Sequence, residues 1–297
     1  MTPQAILTEA RASVDARLDA WARRVEEEVG GKPGEALAYA MRSPGKRVRA
    51  ALVIAAYRSV GGSAEGIIDI ATAVEVVHAY SLVHDDLPCM DDDDLRRGRP
   101  TTHVAFDVAT ATRAGWMMVP VAGRVLVEGA TSLGLSPKVL KEMSRELFQA
   151  SGPEGMVGGQ WLDLEAERRE LDLAGLVRVH RGKTGALIRA SCGLGALAAQ
   201  APAEQVEALR QYGADIGLAF QVADDVLDVT GTSEDLGKTA GKDVATAKST
   251  YVRLLGVEGA RTEAQRLAKA ALDHLAAAGV EVGALGGLAR YIVERDR

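Results

Sequence analysis

Apolar residues recur at helical spacing from the start of the chain. Ala10, Val14, Leu18, Trp21 and Val25 stand three or four positions apart and would share one helix face. Gly30-Gly31 and Pro33 are expected to end that helix, and a short one follows to about residue 41. Ser43-Pro44-Gly45-Lys46-Arg47 reads as a loop. The next helix is predicted over about 48–60, stopped by Gly61-Gly62. Another is predicted over about 64–87, where Pro88 pushes the preceding residue out of the α region. Gly152-Pro153 breaks the chain before a helix over about 156–167. Long helices are predicted over about 173–200 and 202–229, and a polar loop over about 230–248. Two helices close the chain. No strand, hairpin, repeat or linker stands out, so the pattern predicts one all-α domain over residues 1–297.

Composition agrees. Of 297 residues, 47% are hydrophobic but only 4% aromatic, which favours helices, since strands prefer aromatic and β-branched side chains. Net charge is −6, and no Lys/Arg tract is long enough to track a nucleic-acid backbone, so no nucleic-acid partner is expected. The basic residues stand in small pairs beside acidic ones, a pattern suited to a compact anion such as a diphosphate. Cys89 and Cys192 match no metal spacing, and a reduced, cytoplasmic setting is the simpler reading. Met1-Thr2-Pro3-Gln4-Ala5 has neither the basic region nor the apolar core of a signal peptide. No run reaches the roughly 20 apolar residues of a membrane span, and the best stretch, 114–127, contains Pro120 and Arg124.

Two acidic clusters carry the candidate chemistry. Asp85-Asp86 and Asp91-Asp92-Asp93-Asp94 put six carboxylates into ten residues. A bare acidic run is usually a solvated loop. This one follows the apolar segment 74–83, so a buried helix would present its carboxylates at the mouth of a cavity. Hard oxygen ligands suit Mg²⁺, which keeps several waters and completes its shell with phosphate oxygens. Because Pro88 breaks the helix, Asp91 must arrive from a loop.

In the second cluster, Asp224 and Asp228 are four apart on one helix face, with Gln221 a turn earlier. Like charges at that spacing need a compensating cation or good solvation, and the surrounding Leu218, Phe220, Val222 and Val226 argue against solvation. Cations are interspersed along the chain: Lys46-Arg47 with Arg49, Arg96-Arg97 directly after the first cluster, Lys183, Lys238 and Lys242. Arg23-Arg24 and Arg168-Arg169 read as ordinary solubilising surface. His78 lies two turns before Asp85 on the same face, which balances a functional reading against that of a core histidine. His84, His103, His180 and His274 form no zinc spacing.

Together these stretches resemble the short-chain trans-isoprenyl diphosphate synthases, the farnesyl and geranylgeranyl diphosphate synthases. The match runs through Glu75-Val76-Val77-His78-Ala79-Tyr80-Ser81-Leu82-Val83-His84-Asp85-Asp86 to Arg97-Gly98. It also takes in Gly45-Lys46-Arg47, Gly158-Gly159-Gln160 with Asp163, His180 to Thr184, Gly217 to Asp228, and Gly237 to Asp243. The resemblance implies antiparallel helices around a deep apolar cavity, normally in a homodimer. It implies three Mg²⁺ held by Asp85, Asp91 and Asp224, with Asp86 and Asp228 in support. Arg96, Lys183 and Lys238 would grip the allylic diphosphate. Lys46, Arg49, His78 and Arg97 would grip isopentenyl diphosphate. Thr184, Gln221 and the Lys183 carbonyl would face the allylic carbocation.

Tyr80, beside Ser81 one turn below Asp85, would act as a floor for the growing chain and limit it to the C15 product, farnesyl diphosphate. The alternative is geranylgeranyl diphosphate. Two other classes share the fold. Class I terpene cyclases normally mix Asn, Ser or Thr with Glu in the second metal motif, unlike Asp224-Asp225-x2-Asp228 here. Non-catalytic partner subunits usually lose metal aspartates, and none is lost here. The chain departs from the family in the segment Thr112 to Pro120. Arg113 stands where an apolar residue is usual, Trp116 replaces an acidic one, and Pro120 should kink the helix. Ala50 stands where proline is usual, with little expected consequence.

Overall fold

Thr2 starts the first helix, α1 (Pro3–Val29): its hydroxyl accepts the Ala5 N–H at 3.2 Å, and Pro3 has no N–H to lose in the first turn. The buried stripe of α1 contains the predicted Ala10, Val14, Leu18, Trp21 and Val25, and adds Ile6 and Ala22. Gly30, at φ 67°, ends it. Helix α2 (Gly31–Met41) starts at once, so Pro33 sits in its first turn and breaks nothing. These are features of a computed structural model that describes residues 2–166, 170–230 and 249–294.

Helices α3 (Val48–Ser59) and α4 (Ile67–Asp85) show no amphipathic stripe because neighbours enclose them on most sides. Among the described residues, α4 and not 114–127 is by length and composition the helix apolar enough to cross a membrane. Two-thirds of it is buried inside this fold, as befits a core helix.

After α4 comes an element the sequence pattern missed. β1 (Leu95–Arg96) and β2 (Arg99–Pro100) form a two-stranded antiparallel ribbon in the register Leu95–Pro100 and Arg96–Arg99. Its turn residues, Arg97 and Gly98, both have positive φ (54° and 75°), as a two-residue hairpin loop of matching twist requires.

Short α5 (Thr102–Ala105) leads to α6 (Val108–Ser132), capped by Asp107, whose carboxylate accepts the Thr110 N–H at 2.8 Å. The expected kink does not break α6, which runs on through Pro120. Then follow α7 (Pro137–Ser151), α8 (Met156–Ala166) and α9 (Leu173–His180). The helix predicted over 173–200 is in fact three pieces: α9, a π-turn (Arg181–Gly185) and α10 (Ala186–Ala198). Helix α11 (Ala203–Thr230) is the longest, and α12 (Tyr251–Ala277), interrupted at Gly256, and α13 (Gly283–Glu294) complete the order.

The larger apolar core packs around α3, α4 and α10; a smaller one joins α9, α11 and α12 around Leu176, Val222 and Tyr251. The two aspartate motifs therefore emerge from the ends of two core helices, α4 and α11. Cys89 is exposed, Cys192 is buried, and both are free thiols.

Candidate active site

Helix α4 ends at Asp85 and is capped by Asp86. The chain then loops through Pro88 and comes back, and the Asp91 N–H donates to the Asp85 carbonyl at 2.8 Å. Asp91 thus arrives from a loop, as its sequence implies. Asp86 is buried and accepts from Arg96 Nε at 2.6 Å; Arg96 also faces Asp93 at 3.6 Å. The β-ribbon holds Arg96 in this place. Burial pushes the Asp85 carboxyl up to about 6; Lys183 and Arg96 oppose the shift, Asp91 and Asp86 reinforce it.

Lys183 stands in the π-turn, a rare geometry that concentrates at functional sites. The turn depends on close backbone approach. A Cβ at Gly159 of α8 would lie 1.9 Å from the Lys183 nitrogen, and one at Gly217 of α11 would lie 2.8 Å from Gly185 Cα. Only glycine lets both helices close on the turn. Lys183 Nζ donates to Asp163 Oδ2 at 2.7 Å. Burial alone would lower its pKa, but Asp163, Asp91 and Asp85 hold it above the usual 10.5. Thr184 is buried beside it, and Gln221 rises half-buried from α11, one turn beyond Gly217.

In the second motif Asp224 is half-buried, while Asp225 and Asp228 are buried. Among the described residues, neither Asp228 oxygen has a hydrogen-bond partner. A buried carboxylate left so is costly unless a cation reaches it. Among the described residues, no three acidic, histidine or cysteine side chains converge on one point. Asp85, Asp86, Asp91, Asp224 and Asp228 are the residues that could hold Mg²⁺.

The other side of the site is cationic. Arg47, in the left-handed region at φ 53°, is buried. Its Nε reaches Asp15 at 2.7 Å, its Nη1 reaches Glu75 at 3.2 Å, and its Nη2 reaches the Ser43 carbonyl at 2.8 Å. Glu75 also accepts the Ala50 N–H at 3.2 Å, tying the start of α3 to α4. This clamp holds exposed Lys46 and half-buried Arg49 on either side of Arg47. Arg49 Nη1 lies 3.5 Å from His78 Nε2, and Arg49 Nε is buried without a partner. Arg97 donates to the Pro44 carbonyl. Burial first, then Arg49, Arg97, Arg47 and Arg96, push His78 well below the usual 6.5, so its ring is neutral. The same crowding lowers Arg97, after burial, through Arg47 and Arg96.

Sequence reasoning named Arg47 among the cations and Glu75 in the matched stretch but missed their pairing as a buried clamp. The available signal was Glu75 itself, the one charged residue between 70 and 83 apart from His78, since a buried carboxylate needs a partner.

Residues 33–281 match the polyprenyl synthetase family model. The chain belongs to that family. It is 38% identical to farnesyl diphosphate synthase of Geobacillus stearothermophilus over 100% of this chain and 99% of that one. It is 46% identical to farnesyl diphosphate synthase of Escherichia coli over 89% of each chain. A geranylgeranyl pyrophosphate synthase of Arabidopsis thaliana also matches, at 43%. Among solved structures, geranyltransferase from Helicobacter pylori, complexed with magnesium and isoprenyl diphosphate, superposes with a TM-score of 0.78 at 31% identity, covering 97% of this chain and 95% of that one. The chain is a trans-prenyltransferase with the all-α isoprenyl synthase fold.

In this polyprenyl synthetase, Tyr80 is half-buried and meets His84 edge-on, with centroids 4.8 Å apart. Ser81 bonds back to the His78 carbonyl at 2.9 Å. Trp116 is 64% exposed, and Arg113 and Pro120 are exposed on the same outer face of α6. The three departures on α6 therefore point away from the interior, while Ala50 is buried. Lys238, Lys242 and Asp243 lie outside the described residues.

Proposed function

We propose that this prenyltransferase condenses isopentenyl diphosphate with dimethylallyl and then geranyl diphosphate, giving farnesyl diphosphate, as a single catalytic domain. The observation that carries the reading is the presence of two cation sets in different states. Arg96 and Lys183 are bonded directly to carboxylates, Asp86 and Asp163, whereas Arg49 and Arg97 stand with Arg47 around His78, with Glu75 their nearest opposing charge and no carboxylate bonded to them among the described residues. Two sets suit two diphosphates, which favours condensation over a cyclase acting on one.

In this reading Asp85, Asp91 and Asp224 hold three Mg²⁺ per site, with Asp86 and Asp228 in support. The ions supply positive charge to the leaving diphosphate. Arg96 and Lys183 grip the allylic diphosphate, as would Lys238. Lys46, Arg49, His78 and Arg97 grip isopentenyl diphosphate. The allylic C–O bond breaks and leaves a carbocation facing Thr184, Gln221 and the Lys183 carbonyl, in a space that excludes water. The isopentenyl double bond attacks, the new C–C bond forms, and a proton leaves to the released diphosphate.

Tyr80 sets the product length by blocking extension beyond C15, and its half-buried place beside Ser81, which stands one turn below Asp85, supports that role. The protein would work in the cytoplasm as a homodimer. The exposed strip of Trp116, Pro120 and Val127 on α6, with Phe148 of α7, supports pairing through that face. Light scattering of the purified protein tests it.

The decisive assay incubates the protein with isopentenyl and dimethylallyl diphosphates and Mg²⁺, then separates the dephosphorylated products. The expected alcohol is C15, and Tyr80→Ala should lengthen it. No diphosphate release would refute condensation, a C20 product would favour the geranylgeranyl reading, and an unchanged length in Tyr80→Ala would refute the floor.

A further inference from the structure

Asp224, Asp225 and Asp228 lie in one motif, but the helix does not aim them alike. At 3.6 residues per turn, Asp228 stands about 40° from Asp224 around α11, and Asp225 about 60° beyond Asp228 and about 100° from Asp224. The surroundings follow that difference. Both Asp228 oxygens are buried and, among the described residues, unmet. Asp225 Oδ2 accepts the Tyr251 N–H at 2.7 Å and lies 3.8 Å from His180 Nε2. The His180 and Tyr251 rings stack at 5.9 Å with 14° between planes.

Three elements meet at this knot. His180 is the last residue of α9, directly before the π-turn that carries Lys183 and Thr184. Tyr251 is the first residue of α12, and Asp225 belongs to α11. Two further bonds fasten the same corner. Thr250 caps α12 by accepting the Arg253 N–H at 3.1 Å, and Ser249 accepts the Leu171 N–H, two residues before α9, at 3.0 Å.

We infer that Asp225 is a positioning residue and not a metal ligand: with His180 and Tyr251 it locks the start of α12 and the end of α9 onto α11, and so sets where the π-turn presents Lys183 and Thr184. Its Oδ2 is engaged by the protein, while both Asp228 oxygens have no hydrogen-bond partner among the described residues. The backbone N–H of Tyr251 needs an acceptor and does not need a charge. A neutral amide at position 225 can therefore do most of the work, which is not so for a residue that holds Mg²⁺. The inference rests on the reading that Lys183 and Thr184 serve the allylic substrate.

Steady-state kinetics on the full chain test it, with Mg²⁺, isopentenyl diphosphate and geranyl diphosphate each varied. Asp225→Asn should keep the Mg²⁺ half-saturation within about twofold of wild type, whereas Asp224→Asn should raise it about tenfold or more. Asp225→Ala, which loses the acceptor, should raise the allylic KM or lower kcat about tenfold while the isopentenyl KM stays put. His180→Ala removes the stack without touching the motif and should show the same allylic selectivity, which keeps the test open if Asp225→Ala does not fold. If Asp225→Asn raises the Mg²⁺ requirement as Asp224→Asn does, Asp225 is a ligand and the inference is wrong. If the Asp225→Ala and His180→Ala variants lose stability alone, or weaken both substrates equally, the positioning role is wrong. Lys183→Ala is the separate control: an unchanged allylic KM there would overturn the allylic assignment of Lys183, and the Mg²⁺ comparison would still judge Asp225.

Discussion

The two halves of the site handle charge in opposite ways. On the acidic side, the cations are already engaged: Arg96 with Asp86 and Asp93, and Lys183 with Asp163. On the basic side, Arg49 and Arg97 gather around an uncharged His78 with Arg47 close by, and Glu75 and Asp15 bind Arg47. Like charges held together in a partly dehydrated place raise the free energy of the empty protein, and an incoming anion relieves it. The basic side is thus built before its ligand arrives. The acidic side is self-paired, and its excess carboxylates, Asp85 and Asp228 above all, must be met by cations before an anionic substrate can settle among them. The difference teaches that one diphosphate should bind with little help from metal, and the other only with it.

Substitutions can break that contrast, beginning with the largest effect. Asp85→Asn should lower kcat by about 10²–10³-fold through lost stabilisation of the leaving group, with isopentenyl diphosphate affinity unchanged. Product release in rapid-mix assays, beside equilibrium binding, separates the two quantities. Arg49→Ala should act in reverse, raising the isopentenyl KM by about 10–100-fold, the worth of one charged hydrogen-bonding group, and leaving the allylic KM alone.

Glu75→Gln tests the clamp beneath the basic side. Removing one partner of a buried pair costs up to about 3–5 kcal/mol, but Arg47 keeps Asp15 and the Ser43 carbonyl, so about 1–3 kcal/mol is expected from urea unfolding. The isopentenyl KM should rise several-fold as the loop loosens. The smallest effect belongs to Trp116→Ala. This side chain is exposed on α6 of the single chain, within the strip proposed to pair two copies, so the fold of one subunit should move by less than about 0.5 kcal/mol and product length not at all, while pairing should weaken. A longer product from that variant would mean that the outer face of α6 communicates with the interior.

Much of this was legible in the residue pattern. The stripe on α1 showed because one face of that helix meets solvent. Helices α3 and α4 could be bounded only by their flanking Gly and Pro, since apolar residues on all sides leave no period to read. The β-ribbon escaped because two residues cannot show alternation and Arg97 gives no sign of positive φ. The π-turn escaped too: its cause lies in Gly159 and Gly217 closing on it from other helices, a tertiary fact. The aspartates of both motifs announced themselves by charge and spacing. The pairing of Arg47 with Glu75, 28 positions apart, and of Asp225 with Tyr251, 26 apart, depends on how helices pack and could not be read locally.

Calorimetric titration with and without Mg²⁺ tests the contrast most directly. Isopentenyl diphosphate should bind in EDTA within about threefold of its affinity in Mg²⁺, since fixed arginines supply its charge. A non-ionisable allylic thiolodiphosphate should lose about 100-fold or more when the metal is removed. Loss of isopentenyl diphosphate binding in EDTA to the same degree as the allylic analogue would contradict the account.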